Sequence, residues 1–143
     1  FLEADKKPER LVFMVQKEVA QRIAAKPPDM NLLSVSVQFY GIPTVVAQVR
    51  KTAFWPQPKV DSAILKIVPK KERSKVSSTQ FFRVAKAGFK QPRKQLVNNL
   101  SHGLNLSRQE IETWLRQEGI DPTQRAETLS LEHWISLAES LPR

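Results

Sequence analysis

The stretch Phe54-Trp55-Pro56-Gln57-Pro58-Lys59 holds the residue types best suited to chemistry on a flat ligand. Two adjacent rings precede two prolines in alternate positions, and such prolines hold a chain extended and stiff. A ring fixed in that way, Phe54 or Trp55, can stack on a base, which contributes roughly 1–3 kcal/mol. The same rings would serve equally well as a plug for a helical subdomain, and the residues alone leave both readings open. Lys59 can meet a phosphate or run along the surface with its ammonium in water. Asp61 can cap a turn or accept from a backbone donor.

Phosphate is the second ligand to which the sequence points. The 143-residue chain carries 23 Lys and Arg against 14 Asp and Glu, a net charge of +9. The excess is concentrated between residues 70 and 100, where Lys70, Lys71, Arg73, Lys75, Arg83, Lys86, Lys90, Arg93 and Lys94 face a single acid, Glu72. Residues 101–143 are net acidic. A basic stretch on an otherwise balanced chain is the electrostatic footprint of a phosphate-bearing partner. A solvated linker followed by a helix with a charged outer face gives the same pattern.

Other chemistries find no support. The absence of cysteine rules out a disulfide framework, a thiolate metal site and a cysteine nucleophile, and it fits a reducing compartment. His102 and His133 lie far apart with no carboxylates clustered near either, so no metal is expected. The four glycines are scattered and form no phosphate-cradling loop. No run approaches the ~18 apolar residues of a membrane span. A hydrophobic content of 41% is enough to bury a core. The first residue is Phe1, no signal-peptide pattern follows, and the chain is expected to begin inside a longer protein.

Several elements must position these residues. Leu11 to Val15 is a short apolar run that reads as a fully buried strand of the parallel-sheet kind. In Gln16 to Lys26, Val19, Ala20 and Ile23 fall at helical spacing, and Pro27-Pro28 ends that helix. Strand followed by helix is the unit of α/β sheets. Leu32 to Gly41 fits either an alternating strand or a helix with small residues on its packing face. Thr44–Val49 and Ser62–Val68 read as strands, an antiparallel pair joined by the 50–61 loop, and loops of that size are often functional. Lys70 to Thr79 is basic and Ser/Thr-rich, a linker and a domain boundary. Helices follow. The first carries Phe81, Phe82, Val84, Ala85 and Phe89. Pro92 can start the second, with Leu96, Val97 and Leu100 buried. Ser107 and Glu110 make a capping box for the third, which Gly119 stops. Ser130 caps the fourth, around Trp134.

At this point a family resemblance emerges. Phe54 to Ser62 resembles the Phe-x-Pro-x-Pro-Lys-Val-Asp-Ser signature of the bacterial rRNA adenine N6-dimethyltransferases. Met14 to Arg22 is similar to the same family's strand-to-helix segment. Arg93-Lys94-Gln95-Leu96-Val97-Asn98-Asn99-Leu100 and Arg125-Ala126-Glu127-Thr128-Leu129-Ser130 resemble two signatures of its helical domain, and they point to the KsgA/RsmA branch. Pro92 stands where arginine is common, Ala126 where proline is usual, and Trp55 at a variable position.

The resemblance implies an α/β part followed by an all-α part. Residues 1–69 would be the C-terminal portion of a Rossmann-like methyltransferase sheet, 70–79 a basic linker and 80–143 a helical rRNA-docking domain. Residues 11–15 would be the fifth strand, the 44–49 and 62–68 strands the terminal antiparallel pair, and residues 30–40 a helix. The parent reaction would use S-adenosylmethionine to dimethylate two adjacent adenosines in the 3′-terminal hairpin loop of 16S rRNA, with a role in small-subunit biogenesis. Phe54 would stack on the extruded adenine, with Pro56, Pro58 and Lys59 forming the pocket. Lys86, Lys90, Arg93 and Lys94 would meet rRNA phosphates. The cofactor site is expected upstream of Phe1, which would leave this chain inactive alone. The parent is expected to be cytoplasmic and monomeric, without metal or membrane. A fragment with exposed sheet edge and apolar surface would be open to self-association. Two competing readings are a non-catalytic RNA-binding or ribosome-assembly module and a resistance-type 23S rRNA methylase. A DNA-binding helical domain is a third.

Overall fold

The computed structural model describes residues 1–72 and 74–142. Arg73, one of the cations of the basic stretch, lies outside the described residues. By its internal contacts the chain divides into two units. The first comprises Phe1–Ala25 and residues from Ser36 onward through strand three. The second comprises Lys26–Val35 and the residues from Ser74 onward. Residues 26–35 thus cluster with the helices, although the sequence alone suggests one continuous 1–69 segment.

The first unit is a three-stranded sheet with helix α1 (Lys17–Ile23) packed against it. Strand β1 is Leu11–Gln16, β2 is Gly41–Val49 and β3 is Ser62–Pro69. The order is β1-β3-β2 and both pairings are antiparallel. Side chains alternate along β3, so Ala63, Leu65, Ile67 and Pro69 are buried while Lys66 and Val68 take the other face. Helix α1 (Lys17–Ile23) follows β1 directly and buries Ala20 and Ile23. Pro43 is compatible with β2 because β2 is an edge strand. The register of β2 slips between Val45 and Ala47, a bulge that leaves Val46 57% exposed.

One expectation for this region is corrected and one ambiguity is resolved. The first strand is neither parallel nor fully buried. It is an edge strand, with Val12 58% and Met14 55% exposed on a face that no described element covers. Residues 32–40, which fit either a strand or a helix by their spacing, form helix α2 (Leu32–Tyr40), as the resemblance implies. Local capping favours that outcome, because Asn31 Oδ1 accepts from the Ser34 amide at 2.8 Å and Ser34 Oγ from the Asn31 amide at 3.0 Å. From α2, Gln38 Nε2 donates to the Ile23 and Ala25 carbonyls at the end of α1, at 3.0 and 2.9 Å. Those carbonyls would otherwise lack a helical partner.

The second unit is built around α3 (Ser78–Gly88), α4 (Leu96–Leu104), α5 (Arg108–Gln117) and α6 (Leu131–Glu139). Their starts and stops follow the sequence closely. Ser77 caps α3 through the Gln80 amide. Ser107 and Glu110 form the expected capping box on α5, and Gly119 adopts the positive φ of 75° that ends it. Ser130 caps α6 and His133 reciprocates. Pro92 does not open a helix. It sits in a turn, and α4 starts at Leu96, whose amide donates to the Gln124 carbonyl at 2.7 Å. Leu96, Val97 and Leu100 are buried as their spacing indicates.

Trp134, fully buried, anchors this core. It lies against Phe89 with ring centroids 5.0 Å apart. It also lies against the backbone of α3 at Gly88, where a Cβ would stand 2.4 Å from the indole. The indole is rigid and enclosed, so it cannot move aside. Gly88→Ala is expected to lower the free energy of unfolding by about 1–3 kcal/mol through overpacking. Urea unfolding would measure this, and unchanged stability would show that α3 and α6 separate freely.

Candidate functional site

The loop between β2 and β3 is held by one side chain. Residues Lys51–Ala53 form a single 3-10 turn after β2. Asp61 Oδ1 accepts from the Lys51 amide at 2.8 Å, and Oδ2 accepts from Gln48 Nε2 at 3.4 Å. The Asp61 carbonyl accepts from the Lys17 amide at 3.0 Å. A single residue therefore ties together the end of β2, the loop and the first residue of α1. The turn in its turn fixes Phe54, whose amide donates to the Lys51 carbonyl.

The Lys51 amide is the main reason the Asp61 carboxyl titrates below the ordinary aspartate value of 3.8. Partial loss of water opposes this, and Gln48 and the ammonium groups of Lys17 and Lys51 reinforce it. Asp61 thus caps the turn and receives a backbone donor, the two uses its position allowed.

The rings are presented differently. Trp55 is 96% exposed. Phe54 is half-buried at the end of the 3-10 turn, in extended conformation. Pro56 is exposed and Pro58 half-buried. Lys59 is brought together with Lys17 and Lys51 around an open depression of about 400 Å³, which Glu18 and Asp61 also line. Phe54, Pro56 and Pro58 stand outside this depression. Lys17 and Lys51 escape sequence reasoning because their convergence depends on the Asp61 contacts. Three ammonium groups and two carboxylates leave a local excess of one positive charge, on the same loop as a ring able to stack. That combination suits one nucleotide, base on ring and phosphate on lysine.

The helical unit carries a second cationic patch. Lys90 and Lys94 line an open depression of about 460 Å³ together with Gln91, Asn98 and His102. Asn99 Nδ2 shapes it by donating to the Gly88 and Gln91 carbonyls at 2.8 and 2.9 Å. Lys86 and Arg93 are exposed but do not line it. The motifs of the sequence do not single out Asn98 and His102, although their spacing of four on α4 places them on one helix face. Among the described residues no group of three potential metal ligands occurs.

A family model described as ribosomal RNA adenine dimethylase matches residues 1–142. Curated relatives include the ribosomal RNA small subunit methyltransferase A of Dehalococcoides mccartyi (strain CBDB1), 52% identical over 139 residues, which are 96% of this chain and 48% of the relative. The protein of the same description from Bacillus mycoides (strain KBAB4) is 42% identical over 137 residues, covering 91% and 47% respectively. The chain spans about half the length of the curated relatives it matches. A solved dimethyladenosine transferase from Plasmodium falciparum superposes with a TM-score of 0.76 at 22% identity, covering 95% of this chain and 58% of that one. The solved 23S rRNA methyltransferase ErmE gives 0.72 at 22%, covering 99% and 58%.

The hold of Asp61 on the loop should follow its own titration. A depressed folded value means that the stabilisation is present above the ordinary carboxylate range and is lost as the pH falls through the lower, folded value. The Lys51 amide resonance is therefore expected to shift with a midpoint below 3.8. In Asp61→Ala this amide should exchange with solvent at least tenfold faster at neutral pH. A midpoint above the ordinary range would break the link between Asp61 and the turn.

Proposed function

The chain belongs to the ribosomal RNA adenine dimethylase family, and we propose that it forms part of an S-adenosylmethionine-dependent enzyme that dimethylates two adjacent adenosines of 16S rRNA. The observation that carries this reading is the loop of residues 50–61. It presents Phe54 on a turn locked by Asp61, and the same Asp61 lines a depression where three lysines gather. Chemistry on a base amine requires the base to leave its stack. A preset aromatic face offsets part of the cost of that step.

In this reading β1, β3 and β2 are the last three strands of a Rossmann-like sheet, which the order β1-β3-β2 and the shared fold support. Residues 1–69 belong to the catalytic domain, 70–79 are a linker and 80–143 dock the rRNA. Phe54 stacks on the extruded adenine, Pro56 and Pro58 hold it extended, and Lys59 meets a flanking phosphate. Lys90 and Lys94, with Arg93 and Lys86, meet phosphates farther along the RNA. The target in the 3′-terminal hairpin loop is a single-stranded element of the kind that proteins read specifically. The small-subunit reading is favoured over a resistance-type enzyme by 52% identity to relatives described as small subunit methyltransferases, against 22% to ErmE.

S-adenosylmethionine supplies the methyl groups when bound, and in this reading its site lies outside the residues of this chain. Gly41 begins a strand, Gly88 and Gly103 lie within helices, and Gly119 follows one. None makes the glycine-rich strand-to-helix turn that a nucleotide cofactor needs. What these residues contribute to the reaction is therefore the positioning of base and RNA. Cytoplasmic location and a monomeric parent belong to the same proposal. No described helix is long and apolar enough to cross a membrane.

In a protein of the relatives' full length, Phe54→Ala is expected to lower methylation of 16S rRNA by about 5- to 150-fold, the equivalent of one stacking contact of roughly 1–3 kcal/mol, while rRNA affinity, spread over many phosphate contacts, falls much less. Equal losses in both would remove the stacking role. Arg93→Ala combined with Lys94→Ala should weaken binding and reduce the slope of log affinity against log salt by about two. An unchanged slope would take these residues off the phosphate list.

A further inference from the structure

We propose that the sheet unit carries a second RNA-backbone site, at the opposite end of β3 from the Phe54 loop. The inference rests on the rRNA reading above for the identity of the polymer and adds a contact surface to it. An open groove of about 720 Å³ lies where the segment preceding β1 meets the end of β3. Lys7 and Arg10 enter it from the first segment, Lys66 from the middle of β3, and Lys70 and Lys71 from the residues after β3. Asp5 and Glu9 also line it, leaving an excess of three positive charges.

Lys66 is the telling residue. It sits on the central strand, paired with Val12 of β1 and Thr44 of β2, on the sheet face that carries Val68. That face is open to solvent, and from it the Lys66 ammonium joins the cations at the two ends of the groove. No ion pair holds Arg10, Lys66 or Lys71 among the described residues. The groove walls supply the other half of a ribose-phosphate contact, because Pro8, Val68 and Pro69 give apolar surface between the cations. A concave trough of this kind accepts a strand, whereas a planar lipid surface is met by an amphipathic helix lying flat.

Eight residues of β3 separate the two ends. At about 3.3 Å per residue, the far wall of the groove at Pro69 is roughly 23 Å from the loop end of β3, and Lys66 roughly 13 Å. An RNA hairpin gripped at the Phe54 loop does not occupy the groove with the same nucleotides. The groove is therefore a contact for a distant part of a large folded RNA, one that adds affinity and register and leaves the target base to the loop.

The test uses the 143-residue chain with Lys66→Gln and Lys71→Gln together, substitutions that keep side-chain length and remove charge. Circular dichroism would verify that the variant folds, and the single variant Lys71→Gln, outside the sheet, provides a second reading if it does not. Binding to whole 16S rRNA is expected to weaken roughly tenfold, with the salt slope reduced by about two for the pair and about one for Lys71→Gln alone. Binding to the isolated 3′-terminal hairpin should change by less than about twofold. An unchanged slope on 16S rRNA would overturn the groove while leaving the functional reading intact. Equal losses on hairpin and whole RNA would overturn the remote contact. Groove-dependent binding to vesicles of anionic phospholipid with none to RNA would reassign it to membranes. If the unsubstituted chain binds no 16S rRNA, both this site and the rRNA reading fall.

Discussion

Strand β3 is the constraint on which the sheet unit depends. Among the described residues it is the only strand paired on both sides, so its register with β1 and β2 sets where every other residue of the unit lies. A slip of one residue would turn Ala63, Leu65 and Ile67 out of the core and put Lys66 into it. The strong alternation of burial along β3 makes such a slip costly. Each buried Leu or Ile is worth about 1.5–3 kcal/mol against exposure. The strand also sets the position of Asp61, one residue before its start, and hence of the turn that fixes Phe54.

What the sequence made legible follows the strength of local signals. The capping boxes at Ser107 and Ser130 and the glycine stop at Gly119 are encoded within four residues, and all three are found. Helix α2 is ambiguous in sequence because Leu33, Val35, Val37 and Phe39 alternate as a strand would. The reciprocal Asn31–Ser34 capping decides it, and periodicity does not report capping. Pro92 misleads for a related reason. Proline suits a first helical turn, but the Asn99 side chain bonds the Gly88 and Gln91 carbonyls and holds that segment as a turn.

The first strand shows the limit of composition. An unbroken apolar run such as Leu11–Val15 normally marks a strand buried on both faces. Here it pairs only with β3, and Val12 and Met14 face outward. The run describes the surroundings for which the strand was selected, and this chain supplies one side of them. Curated relatives are about twice as long. The candidate site was legible in the same partial way. Phe54, the prolines and Lys59 could be read from one motif. Lys17 and Lys51 join them only through a backbone contact to Asp61 that no spacing rule anticipates.

The two kinds of recognition proposed for this chain would answer different physical needs. Stacking on Phe54 would be short-ranged, neutral and insensitive to salt, so it could discriminate a base that is out of its stack from one that is not. Phosphate contacts at Lys90 and Lys94, or in the Lys66 groove, would act over about a Debye length, roughly 8 Å in physiological salt, and read no sequence. Affinity built from cations alone would hold any RNA, and a stacking ring alone would hold none firmly. Placing the groove cations at the far end of β3 from the ring lets each be tuned without disturbing the other. More charge would lengthen the stay on RNA without changing which base is presented. A more rigid loop would sharpen positioning without adding affinity for the wrong polymer. The Asp61 lock is consistent with that division, since it commits a carboxylate, next to lysines that an RNA phosphate would otherwise have to itself, to fixing geometry.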